Sequence, residues 1–476
     1  MQITLQARRI RASRPADAAK RVPSPVARAG IPVAVGPSMS TSAKSTARQR
    51  LSQRFDGYLK RPTVWECLGP GLVTGAADDD PSGIATYSQT GARFGVDTLW
   101  TLWLTYPLMV AMQFVSALLG RVTGQGLATN IRKHYPVPVL YGLVLLLFVA
   151  NTINLAADIG AMGEAVKLLI GGSSILYAAI VACVSLVLMI VLKFRAYANL
   201  LKYLTLSLFT YAGVLFFLHI DWSEVLRGLF LPHLRFSADY FTAVVAIFGT
   251  TISPYLFFWQ ASQEVEQQRA APGEKPLVEA PKQASAQLYR VKWDTLIGMA
   301  LSNIVAFFIM LTAAVVLHAH GITKIDSAAK AAEALRPIAG DVSFALFATG
   351  IIGTGMLAIP ALAGSTAYAV AETLRWPKGL NKQPFQASGF YGVIALGTIL
   401  GVLLNLTSIN PMDALFWSAV VNGVVAIPLM VILMLLVSKR GLMGRFTASW
   451  RVRVTGWVAT AVMLLASIAM FATWKH

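Results

Sequence analysis

Charge is scarce in this chain. Only 13% of its 476 residues are Asp, Glu, Lys or Arg, about half the ~25% of a soluble domain. Some 56% are hydrophobic, and the mean hydropathy is +0.60. That balance excludes an ordinary soluble fold and defines a polytopic membrane protein. Cysteine is scarcer still. Cys67 and Cys183 are the only two, too few for a disulfide framework or a thiolate metal site. The six histidines show no His-Glu-x-x-His spacing. The formal charge is +18, yet the bases stand mainly between apolar segments, which argues against a nucleic-acid partner.

Residues 1–60 differ from the rest. They are rich in Arg, Ala, Ser and Pro, have few acids, and carry thirteen Lys and Arg if Arg61 is counted. No apolar core of a secretory signal is present. The expectation is a disordered basic cytoplasmic tail over 1–60, lying on anionic lipid, and a transmembrane domain over 61–476. An organelle transit peptide or an over-long start would look similar.

Eleven apolar spans follow, near 65–92, 98–119, 138–170, 173–192, 197–219, 239–262, 294–318, 341–371, 388–406, 411–437 and 453–473. Several exceed the ~20 residues that cross a bilayer, which suggests breaks, tilt or turns outside it. With the N-terminus in the cytoplasm, the inner connections carry nineteen Lys and Arg besides the tail, and the outer side carries eight. This bias predicts an inside N-terminus and an outside C-terminus; the membrane expected is a bacterial inner (plasma) membrane. The longest inner connection, 264–292, is polar and contains prolines, and reads as a solvated loop; Glu264 and Glu266 are expected to cap its junction with the helix, the alternative being an acidic inner exit.

Three consecutive acids sit inside the first span, in Ala77-Asp78-Asp79-Asp80-Pro81-Ser82-Gly83. A charge at bilayer depth costs several kcal/mol and is normally kept for ion or substrate chemistry. Pro81 lacks an N–H, so the helix is expected to break here and free carbonyl oxygens beside the carboxylates. Hard cations favour such oxygen donors. The plainer alternative is an Asp-Pro helix cap near the interface with all three carboxylates wet. The sixth span repeats the pattern in Gly249-Thr250-Thr251-Ile252-Ser253-Pro254-Tyr255. Breaks five spans apart point to an all-α, five-plus-five inverted-repeat transporter fold, with broken first and sixth helices facing each other at midplane. An ordinary proline kink would explain either break alone.

Several motifs then resemble the Nramp (natural resistance-associated macrophage protein) family of divalent metal transporters, over about 65–450. They are Gly69-Pro70-Gly71 leading into Asp80-Pro81-Ser82-Gly83, the turn Gly120-Arg121-Val122-Thr123-Gly124, Ala156-Ala157-Asp158, Ala363-Gly364-Ser365-Thr366, and Leu442-Met443-Gly444-Arg445-Phe446. The resemblance implies a secondary transporter of Mn²⁺ or Fe²⁺, with proton coupling as a further expectation. It implies no enzyme activity and no resident cofactor, the metal being cargo. The departures mark a divergent branch. Gly83 stands where the family has a metal-binding Asn. Ser253 replaces a thioether ligand, Tyr255 a proton-assisting His, and Ala161 an acid of the third helix.

Asp80 is the leading metal ligand. Asp78 and Asp79 are further candidates, although on a helix they point about 200° and 100° away from it. Three neighbouring carboxylates cannot all stay ionised in a low dielectric without a cation. Ser253 and the carbonyls near Thr250 would face Asp80 if the repeat holds. Oxygen donors suit Mg²⁺, Ca²⁺ and Mn²⁺, so a Mg²⁺ transporter of the same fold is the alternative. Ser253 bonding back to its own helix would weaken it as a ligand. Asp158, on one face with Asn151 and Asn154, is a proton-pathway candidate or a structural hydrogen bond. Asn422 is a possible gate, and Gln89, Gln260 and Gln263 are vestibule candidates. An organic-substrate (amino-acid) symporter is disfavoured because three aspartates repel a substrate carboxylate. Nothing suggests a channel filter. An intramembrane aspartyl protease could pair Asp80 with Asp158 but would leave the repeated breaks unexplained.

Overall fold

The computed structural model describes residues 63, 67–191, 210–216, 220–333, 340–407 and 409–474. The basic tail lies outside them. Every regular element among the described residues is a helix.

The first span is two half-helices, α1 (Pro70–Asp78) and α2 (Pro81–Phe94). The break is local chemistry. Proline disfavours helical backbone in the residue before it, and Asp80 is extended at φ −70° and ψ 170°. Pro81 then occupies the first position of α2, where its missing N–H costs nothing. After α3 (Trp100–Thr123) and the short α4 (Leu127–His134), α5 runs unbroken over Val137–Ile170. Its 34 residues extend about 51 Å, so it must tilt or project beyond the ~30 Å apolar layer. Next come α6 (Ser174–Val191), α7 (Thr210–Leu215) and α8 (Trp222–Phe230).

The sixth span repeats the break as α9 (Ala238–Thr251) and α10 (Pro254–Ala270). Ser253 is extended at φ −68° and ψ 135°, again with proline following. Then follow α11 (Ala284–Val316), α12 (Ala328–Glu333), α13 (Ser343–Leu374), α14 (Ser388–Leu404), α15 (Pro411–Ser438), α16 (Arg440–Met443) and α17 (Trp450–Thr473).

Among the described residues, eight helices are long and apolar enough to cross a membrane. The two halves of the first span are each too short to count, and α14 has 17 residues. The expected fifth span, 197–219, falls largely outside the described residues. The α9–α10 pair is central, with 94% of its apolar stretch buried, whereas α6 has 22% and lies at the periphery. Leu145, Ile170 and Leu465 are among many large apolar side chains facing outward, as expected where the solvent is lipid.

Small residues let the broken helices pack against their neighbours. A Cβ on Gly75 of α1 would lie 2.2 Å from the Gly298 carbonyl oxygen of α11. On α9, a Cβ at Gly249 would meet the Ala419 carbonyl of α15 at 2.0 Å. The two broken helices thus sit backbone to backbone against α11 and α15.

The 264–292 connection departs from the expected solvated loop. α10 continues to Ala270, so only 271–283 separate it from α11. The segment docks on the end of α3. Leu277 is fully buried, and the Leu277 and Val278 N–H groups donate to the Arg121 and Val122 carbonyls at 3.2 and 3.3 Å. Glu264 does not cap a junction. It lies inside α10 and forms an ion pair with Arg121, at 1% and 0% side-chain exposure.

Candidate metal site

Both breaks turn backbone and carboxylate oxygens into a dry interior. Asp78, Asp79 and Asp80 are 0, 5 and 2% exposed, so the wet-cap alternative does not hold. Asp80 is nevertheless a cap. Its Oδ1 accepts the Gly83 N–H at 2.8 Å, satisfying one orphan donor of α2. Its Oδ2 accepts from Asn154 Nδ2 at 3.0 Å and from the Tyr255 hydroxyl at 3.3 Å. The same Tyr255 hydroxyl reaches the Ala77 carbonyl at 3.1 Å. One tyrosine therefore joins the start of α10 to the break between α1 and α2, and the two breaks face each other.

The three aspartates divide. Asp78 and Asp79 turn to α11, where the Ser302 hydroxyl lies 2.7 Å from Asp78 Oδ2 and 3.2 Å from Asp79 Oδ1. Asp80 turns to α5 and α10. Among the described residues, no three His, Cys, Asp or Glu side chains gather into a metal-holding group. A cation at Asp80 would therefore draw its remaining ligands from neutral oxygens.

Thr250 is placed against this break, since a Cβ on Gly83 would approach its Oγ1 to 3.1 Å. Ser253 bonds back to its own helix, its hydroxyl lying 2.8 Å from both the Gly249 and Thr250 carbonyls. These carbonyls end α9 and need donors. The hydroxyl lone pairs are not consumed by that bond.

The polar stripe of α5 separates into three roles. Asn151 donates to the Leu362 carbonyl and to the Ser365 and Thr366 hydroxyls of α13 at 3.1, 3.0 and 2.7 Å. Asn154 holds Asp80. Asp158 is fully buried, no side chain donates to its carboxylate, and the Ser82 backbone N–H is directed at it. Asp158 is near enough to Asp80 for their charges to repel. Other buried oxygens around the break are unpartnered, including Asp78 Oδ1 and Asn154 Oδ1. Buried polar atoms are rarely left so, and a set of acceptors without donors is what an entering cation satisfies. On α15, Ser418 Oγ lies 3.3 Å from Ser82 Oγ. Asn422, one turn further along, is 1% exposed with its Oδ1 unpartnered.

The two ends of the bundle differ. A cavity of about 450 Å³ begins one turn beyond Asp158, lined by Ala161, Glu164, Asp326, Asn405 and Asn410. Lys330 Nζ donates to Asp326 at 2.8 Å and holds that carboxyl below the usual carboxylate range. Gln89, by contrast, lines a separate cleft and donates to the Met412 carbonyl at 3.0 Å.

The other end is shut by a polar network. Thr74 of α1 bonds to Gln260, whose amide donates to Glu264 at 3.1 Å. Arg121 binds Glu264, Gln267 and, at 2.7 Å, Glu274. Asp294 accepts the Gly69, Gly71 and Leu72 N–H groups at 2.8, 2.7 and 3.0 Å. Sequence reasoning missed Asp294, Ser302 and Tyr255 as partners. Asp294 and Ser302 interrupt the polar–apolar order of the seventh span, which was the available signal.

Two broken helices facing each other across a buried carboxylate, inside an all-helical membrane bundle, define a secondary-transporter architecture. The comparisons with known proteins make this specific. A family model described as natural resistance-associated macrophage protein-like matches residues 71–473. The chain therefore belongs to the Nramp family of divalent metal transporters. Its fold is shared with a manganese transporter from Eremococcus coleocola, solved with an aromatic bis-isothiourea compound, at TM-score 0.68 and 18% identity over 87% of this chain and 88% of that one. A variant of the same transporter matches at TM-score 0.64 and 20% identity over 84% of each chain.

Proposed function

We propose that the chain moves Mn²⁺ or Fe²⁺ across a bacterial inner membrane through a midplane site at Asp80. The metal is cargo, and no enzymatic step is involved. The observation that carries this reading is Asp80 itself, buried at the first break and reached by Tyr255 from the second. Thr250 and Ser253 supply neutral oxygens across the gap, and Asp78 and Asp79 add two further buried carboxyl groups beside it. Asp158 is proposed as the proton-pathway group and Asn422 as a gate. Eleven spans, a cytoplasmic N-terminus and an outside C-terminus follow from the basic-residue bias.

The donor set is all oxygen, which favours hard ions and supports Mg²⁺ as the second reading of the cargo. An amino-acid symporter is disfavoured because the break presents carboxylates to the substrate. A proteolytic dyad needs two carboxyls sharing a proton, and Asp158 shares no hydrogen bond with Asp80.

The test is Mn²⁺ uptake into proteoliposomes by wild type and Asp80→Ala. Uptake is expected to vanish while the purified variant keeps its helical content. Uptake at the wild-type rate would remove Asp80 from the site.

A further inference from the structure

A second feature of the bundle lies away from the metal site. A groove of about 630 Å³ runs between α3, α11 and the start of α17. Tyr106, Val110, Phe114 and Leu118 line it along α3. They recur every fourth residue and so form one stripe on one helix face. The stripe is about 18 Å long at ~1.5 Å per residue, close to the ~15 Å depth of one leaflet. Leu288 and Leu296 of α11 form the facing wall. The Tyr106 hydroxyl, the polar atom on the stripe, is engaged with the Leu296 carbonyl at 3.3 Å, so the α3 stripe presents hydrocarbon.

Three cations line the same groove: Lys292, Arg445 and Arg451. All three are exposed. None has an acidic partner among the described residues, whereas nearby Arg290 binds Glu274 through both guanidinium nitrogens at 3.1 Å. Each instead lies near an aromatic ring. Lys292 Nζ is 5.9 Å from the Trp293 ring centre, and the Arg445 and Arg451 guanidinium carbons are 5.0 and 5.8 Å from those of Phe446 and Trp450. Aromatic and basic residues together mark the headgroup level of a bilayer. Lys292 stands on α11 one turn from Leu288 and one turn from Leu296, and a lysine stem covers apolar surface while its ammonium stays in polar surroundings.

We propose that this groove is a binding site for an anionic phospholipid. One acyl chain lies along the α3 stripe, and the phosphate sits among Lys292, Arg445 and Arg451. Charge complementarity selects this occupant. A hydrocarbon slot of one-leaflet depth that three unpaired cations also line matches an amphiphile with one negative head. The groove opens at the end of the bundle that the basic-residue bias assigns to the cytoplasm, and basic pockets between helices on that side recognise anionic headgroups. The lipid would bridge α3, α11 and α17 at one point.

Native mass spectrometry of the purified full-length chain tests this, with phosphatidylglycerol, phosphatidylcholine of the same acyl chains, or inorganic phosphate as probe. Wild type is expected to retain phosphatidylglycerol roughly tenfold or more above phosphatidylcholine, given the attraction of each basic residue for anionic lipid. The K292Q/R445Q/R451Q variant changes only exposed, unpaired side chains and should bring the two lipids level. Val110→Trp keeps the charges but fills the stripe, and should lower retention of phosphatidylglycerol. Equal retention of both lipids by wild type would overturn the proposal. So would unchanged phosphatidylglycerol binding in the triple variant. Full displacement of the lipid by inorganic phosphate would reduce the site to a free-anion site. A dimer that the same substitutions dissociate would assign the groove to a second copy of the chain.

Discussion

Asp294 and Gly71 are 223 positions apart in the chain, and Asp294 Oδ2 accepts the Gly71 N–H at 2.7 Å. With Gly69 and Leu72 bound to Oδ1, one carboxylate from α11 satisfies three donors at the start of α1. This is a helix cap supplied by another helix, strengthened by the positive end of the α1 dipole. α1 is the first half of the broken span, and this cap latches it to α11.

The first prediction concerns this latch. Each hydrogen bond to a charged group is worth about 1.5–3 kcal/mol, so Asp294→Ala should loosen α1 more than it unfolds the bundle. The reporter is a thiol at Ala77, which is 1% exposed. Modification of Ala77→Cys by a water-soluble maleimide should speed up roughly tenfold when Asp294→Ala is added, since ~1.4 kcal/mol is a factor of ten. An unchanged rate would mean that α1 is held by its glycine contacts with α11 alone.

The second prediction concerns metal preference. Ser253 presents oxygen where a thioether would favour a softer ion. Ser253→Met should raise Cd²⁺ affinity and weaken competition by Mg²⁺, read from Mn²⁺ uptake with each competitor in both proteins. The substitution also removes the donor to the Gly249 and Thr250 carbonyls, at about 1 kcal/mol of stability. If excess Mg²⁺ fails to compete in the wild type, Ser253 is not setting a hard-ion site and the Mg²⁺ reading is lost.

The third prediction concerns protons. Asp158 is buried and no side chain bonds to its carboxylate, so a proton there is not shared with another side chain. Asp158→Asn is nearly isosteric and keeps Asn154 on Asp80. Most metal-driven proton flux should disappear, measured with a pH-sensitive dye inside vesicles, while Mn²⁺ binding persists. Undiminished proton flux would place the relay elsewhere.

The fourth prediction concerns topology. Lys275 lies in the connection that docks on the end of α3 and is expected to face the cytoplasm. A cysteine placed there should react with membrane-impermeant reagent only after cells are opened. Strong labelling of intact cells would reverse the orientation and move the lipid groove to the other leaflet.

What the chain determined by itself follows from short-range rules. Low charge and long apolar runs specify a bilayer as solvent. Proline after Asp80 and after Ser253 forces the preceding residue out of helical backbone, and that constraint acts across a single peptide unit. Both breaks, their likeness and the placement of Asp80 at a helix start were therefore legible in the sequence. So was the family, because its motifs are local.

Partner choice was not legible, because it depends on which helices meet. Nothing near Asp78 and Asp79 in sequence indicates that Ser302 draws them away from Asp80. Glu264 reads as a loop-proximal acid until α3 brings Arg121 beside it, where the pair must be complete because an unmatched buried charge is costly. The 264–292 stretch looks solvated from its prolines and charges, yet Leu277 is buried once α3 offers the Arg121 carbonyl. Ser253 is the exception, since its hydroxyl bonds to carbonyls three and four residues back, a local alternative that the sequence already offered. Local sequence decided where the backbone breaks. Only the packing of α3, α5, α10 and α11 decided what the exposed groups at each break would touch, since hydrogen-bond partners more than 70 positions away are chosen by space rather than by order in the chain.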